Sequence, residues 1–115
     1  MKNLSDFKKR LAVGVKLHCT HHQKFAGRHE NGSGEAVYKD EDMGIREVSI
    51  KQSNSFALKT FRQDKNEWVD SWCSYPKASQ CKILDENTVQ ILEEDYRVRE
   101  GEKPLIPILT YKFVD

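Results

Sequence analysis

A period of two through the middle of the chain is the feature that most restricts its fold. Arg46, Val48, Ile50 and Gln52 alternate with Glu47, Ser49 and Lys51, and Phe56, Leu58 and Thr60 alternate with Ala57, Lys59 and Phe61. Side chains two apart share a face of a strand, so each run reads as half-buried β-structure and neither fits the 3.6-residue repeat of a helix. Ser53-Asn54-Ser55 lies between them and supplies turn residues, which makes the pair a hairpin.

The same reading extends in both directions. Ser5 is placed to cap a short helix with Asp6 in its first turn and Leu4, Phe7 and Leu11 along one side. Val13, Val15, Leu17 and Cys19 alternate with Gly14, Lys16, His18 and Thr20 as a first strand, with Cys19 facing inward. Residues 23–43 hold Gly27, Asn31, Gly32, Ser33, Gly34 and the run Asp40, Glu41, Asp42; they are expected to form a long flexible loop, with a short strand at Ala36 to Tyr38. Trp68 to Tyr75 reads as an aromatic strand stopped at Pro76, which removes a backbone donor and restricts the residue before it. Cys81 and Ile83 are expected to pair with Val89 and Ile91 across Asp85-Glu86-Asn87, and Ile108 to Val114 reads as a closing strand.

These pieces predict a mostly-β (α+β) fold. It is a strongly bent antiparallel sheet or small barrel of five to seven strands with one short N-terminal helix. The 115 residues are too few for two independent cores, so residues 1–115 are expected to form a single domain.

Charge and composition narrow the function classes. The net charge is +1, which gives no strong global field for nucleic acid. Residues 1–34 nevertheless carry seven Lys/Arg and two Asp/Glu (7 − 2 = +5), and residues 35–115 carry twelve and sixteen (12 − 16 = −4). No apolar run is long enough to span a bilayer and no secretion signal opens the chain, so no membrane partner and a cytoplasmic location are expected. Three cysteines do not form a paired disulfide framework, which suits a reducing compartment.

Three constellations are candidates for chemistry. His18, His21, His22 and His29 all fall within twelve positions, and Cys19 shares a strand face with His21; Cys19, His21, Cys73 and Cys81 are therefore a candidate zinc set, although their spacing matches no standard zinc site. Arg46, Lys59, Trp68 and Lys77 are candidates for holding nucleic acid by stacking and phosphate contact. Phe56 and Trp72 are assigned to the core, while Trp68, next to a polar turn, is expected at the surface. Asp40, Glu41, Asp42, Glu93, Glu94 and Asp95 form two acidic groups that a basic protein partner could meet. No phosphate loop, dinucleotide fingerprint or linear nucleophile–base motif is present, so the chain is read as a binder and not an enzyme, with no cofactor.

Arg46-Glu47-Val48, Gln52-Ser53-Asn54-Ser55-Phe56, Ser71-Trp72, Tyr75-Pro76-Lys77-Ala78-Ser79 and the closing Leu109-Thr110-Tyr111-Lys112 together resemble small uncharacterised proteins encoded by bacteriophages and prophages. The resemblance covers Phe7 to the C-terminus and carries no catalytic residues. It implies a phage accessory protein in the host cytoplasm that acts by stoichiometric binding, inhibiting a host defence or nucleic-acid-processing protein. A nucleic-acid-binding accessory barrel and a zinc-stabilised structural protein are the alternatives.

Overall fold

A computed structural model describes residues 1–28, 36–95, 97–98 and 100–114, with backbone alone for 24–28 and 36. The alternating runs become seven strands: β1 (Lys16–Arg28), β2 (Ala36–Lys51), β3 (Ser55–Arg62), β4 (Glu67–Ser74), β5 (Cys81–Asp85), β6 (Thr88–Glu94) and β7 (Leu105–Val114). Helix α1 (Leu4–Arg10) precedes them, and a single 3-10 turn at Ala78–Gln80 follows Pro76. All strand pairs are antiparallel, in the spatial order β4-β3-β2-β1-β7-β6-β5. Among the described residues β4 and β5 remain unjoined, so the sheet is open, with two edges.

The predicted hairpins form in the expected places. Val48 faces Leu58 and Lys51 faces Phe56 in the first. Cys81 faces Ile91 and Ile83 faces Val89 in the second.

Three expectations are corrected. Residues 23–28 and 36–43 are not loop but the outer parts of β1 and β2, while 29–35 lie outside the described residues. Glycine and charge dilute the period of two there, and two strands of this length are held by each other's backbone. Their pairing is irregular, with register shifts at Cys19/Thr20 and between His21 and Lys24; Gln23 (φ 61°) and Gly44 (φ 77°) take the left-handed backbone. Such irregularities break the strict alternation a sequence reading depends on. The helix starts two residues earlier than a Ser5 cap implies: Asn3 is the N-cap, and its side-chain oxygen accepts from the Asp6 N–H at 3.0 Å. Trp72 is not in the core; it is 54% exposed.

The core lies on one face of the sheet, under α1. Phe7 is fully buried and sits among aromatic rings: Tyr111 stacked at 6.2 Å, with Phe56 at 6.3 Å and Phe113 at 6.0 Å edge-on. Leu11, Leu17, Cys19, Val48, Leu58, Val89 and Ile91 complete the interior. Two bonds from the sheet hold the helix down. Lys51 Nζ donates to the Lys8 and Leu11 carbonyls at 2.5 and 2.6 Å, satisfying the free acceptors at the helix C-terminus. Arg10 donates to the Glu86 carbonyl and to Asn87 Oδ1 at 2.6 and 2.8 Å, fastening the other flank to the β5–β6 turn.

Candidate binding face

The face away from the core divides into two regions of different chemistry. On β4 burial alternates strictly from Trp68 to Ser74. Cys73 packs on the core, so Trp68, Asp70 and Trp72 point the other way. Phe61 lies opposite Trp68 in register, and their rings are 5.3 Å apart. Trp68 is 69% exposed, and Ile45 of β2 and Phe61 are also exposed. A groove of about 650 Å³ runs beside Trp68, lined by Lys16, Ile45, Glu47, Lys59 and Asp70. It carries charges of both signs. Lys59 Nζ meets Glu47 Oε2 at 2.7 Å, a hydrogen bond that lowers the Glu47 pKa and raises that of Lys59. Asp70 Oδ1 accepts from the Ser49 hydroxyl at 2.7 Å.

On β1, β7 and β6 the same face is polar. His22 links two strands: Nδ1 is 2.9 Å from Asp40 Oδ1 and Nε2 is 2.6 Å from Thr110 Oγ1. His18 Nε2 meets Asp42 Oδ1 at 2.6 Å, and the same oxygen accepts from the Gly44 N–H at 2.8 Å. The Gly44 N–H first, and His18 second, hold Asp42 below the ordinary carboxylate pKa. Thr110, His22 and Asp40 stand in the order of a nucleophile, base and orienting acid. Acyl transfer also needs donors aimed at a developing oxyanion. The nearby amide, Gln90 Nε2, lies 3.4 Å from the threonine hydroxyl itself, and the arrangement reads as a bridge between strands.

The acidic candidates are thus unequal. Asp40 and Asp42 answer histidines, and Glu41 lies between them in β2. Asp95 is largely buried: Arg97 Nε donates to its Oδ1 at 2.8 Å, and this partner, with the Arg97 backbone N–H, lowers its pKa. Arg97 also lies over the Tyr38 ring at 4.9 Å, tying the excursion after β6 to the outer part of β2. Glu93 and Glu94 are exposed at the end of β6.

The nucleic-acid candidates are split. Lys59 and Trp68 share the groove with the Arg46 segment, but the Arg46 side chain is half-buried and donates to Thr60 Oγ1 at 3.1 Å. Lys77 lies elsewhere, on a groove with Glu94, Glu102 and Lys103.

The zinc set does not assemble: among the described residues no three His, Cys, Asp or Glu side chains are grouped to hold a metal. Cys19 is buried and its pKa is pushed up to about 12, first by that burial. Its thiol sits 3.7 Å from the Leu17 carbonyl, and Cys73 Sγ lies 3.8 Å from the Tyr111 hydroxyl, so both behave as small core side chains. Cys81 is at the far edge of the sheet. His29 is outside the described residues.

The composition of β4 misled the sequence reading. An aromatic run in a small domain points to the core, yet β4 ends the sheet and only its Val69, Ser71, Cys73 side turns inward. The small residues Ser71 and Cys73 on either side of Trp72 were the available signal.

No protein-family model matches the chain, and no curated protein or solved structure does either. Among the described residues, no helix is long and apolar enough to cross a membrane.

Proposed function

We propose that this chain is a phage-type accessory protein that binds a host protein stoichiometrically, and that it does so through the aromatic face of β3 and β4. One observation carries the reading: both tryptophans of the chain are exposed, by 69% and 54%, on the same side of one edge strand, next to a groove of about 650 Å³. Exposed aromatic clusters of this kind are enriched at protein interfaces, where tryptophan is a frequent energetic anchor. The mixed charges beside them, Lys16, Arg46 and Lys59 with Glu47 and Asp70, favour a protein over a polyanion. The acidic candidates move to a supporting role, since Asp40, Asp42 and Asp95 are engaged within the fold.

Affinity capture from nuclease-treated host lysate tests this, comparing the native chain with the Trp68→Ala/Trp72→Ala double variant. The reading expects a partner retained by the native chain and lost by the variant. Capture that is indifferent to the double substitution would overturn it. Salt-sensitive retention on single-stranded DNA would instead favour the nucleic-acid alternative, for which Lys59 and Trp68 in one groove are the supporting observation.

A further inference from the structure

We infer that β4 receives an extended segment of the partner as an eighth strand, with a lysine or arginine of that segment set opposite Asp70 and an apolar residue two positions to each side of it. The inference rests on the aromatic face being the binding site, and it adds the partner's conformation and chemistry.

The state of the edge supports strand addition. β4 pairs with β3 without a break from Glu67 against Arg62 to Ser74 against Ser55, so its pairing is regular along its whole length. Its other side has no strand among the described residues, which leaves a row of N–H and C=O groups free to pair. Edge strands are commonly protected by proline, lysine, a bulge, short length or a cover. The stretch from Glu67 to Ser74 contains no proline, glycine or lysine and is eight residues long. A partner strand would gain main-chain bonds along this row and seat alternate side chains against Trp68 and Trp72, the pattern of recognition by strand addition.

Charge decides which strand fits. Asp70 lies on the outer face midway between the tryptophans. In the antiparallel self-pairing that sets Trp68 against Trp72 of a second copy, Asp70 would oppose Asp70 of that copy at roughly 5 Å, and like charges directly opposed are destabilising. The strand is therefore guarded against its own copies. A cationic residue at the same place reverses the sign: it pairs with the carboxylate and lies between two indole rings, both of which attract cations.

Only β4 carries tryptophan, so intrinsic emission reports on this strand alone. The probe is a capped peptide, Thr-Thr-Val-Thr-Lys-Thr-Val-Thr-Thr, whose symmetric pattern presents lysine and two valines in either strand direction. Titrated into the full chain, it is expected to give a saturable blue shift and to bind at least about tenfold more tightly than the same peptide with a central glutamate. Methylating its alternate backbone nitrogens on the pairing edge is expected to abolish the shift. Asp70→Asn is expected to remove the preference for lysine over glutamate while leaving the fold intact. No saturable shift, equal binding of the two peptides, or undiminished binding of the methylated peptide would each overturn the inference. Tryptophan-dependent capture from lysate alongside such a result would leave the binding face standing and remove only the strand.

Discussion

The two edges of this sheet are built differently. β5 has five residues, pairs with β6 through a register shift at Ile83/Asp85, follows directly on a 3-10 turn, and ends in a turn held by Arg10 from the helix. β4 has eight residues in unbroken register, and two exposed tryptophans. Shortness and irregularity help to keep an edge from pairing, and they fall on β5 alone of the two edges. The difference identifies β4 as the edge left available.

The comparison is tested most severely at the point both halves share. Phe7→Ala removes the ring that meets Phe56, Tyr111 and Phe113, and is expected to cost about 3–5 kcal/mol in urea unfolding. A loss under 1 kcal/mol would mean that the helix does not organise the core. Arg10→Ala is smaller and one-sided. It removes the bonds to Glu86 and Asn87, with an expected loss of about 1 kcal/mol and faster hydrogen exchange in β5 but not in β4. Equal acceleration in both strands would erase the distinction between an edge tied to the helix through its turn and one that is not. Smaller again, Trp68→Ala is expected to change stability by no more than about 0.5 kcal/mol, since the side chain is 69% exposed. A loss of several kcal/mol would return this residue to a structural role.

The smallest effect concerns the polar region beyond β2. The pKa of Asp42 is depressed in the folded state, so its contribution is present above the ordinary value of 3.8 and is lost as pH falls through the lower folded value. Asp42→Asn is expected to flatten that acid limb, read from urea midpoints on either side of pH 3.8, with little change near neutrality. An unchanged acid limb would show that the His18 and Gly44 contacts do not couple to folding.

Much of the sheet was legible because apolar residues recur at a spacing of two. The pairs Val48–Leu58, Cys81–Ile91 and Ile83–Val89 follow from apolar positions two apart and short turns between them. The extensions of β1 and β2 were hidden because bulges shift the period at Cys19/Thr20, between His21 and Lys24 and between Phe25 and Arg28. The candidate site was half visible. Aromatic and cationic character point to Trp68 and Lys59, but a linear pattern cannot tell a central strand from an edge and so places Trp72 inward. Pairings such as His22 with Thr110 and Asp40 are set by tertiary placement alone.

The strand order has a consequence for how the chain is made. β1 to β4 form one consecutive meander and β5 to β7 another, and β1 against β7 is the seam that joins them, with Lys16 opposite Val114. During synthesis the first meander emerges complete while one side of β1 still waits for residues 105–114. Domains with such distant pairings fold slowly and expose unpaired strands meanwhile. For that interval the nascent chain has an open flank in what becomes the middle of the sheet, and it is the C-terminal strand, by covering that flank, that ends the exposure.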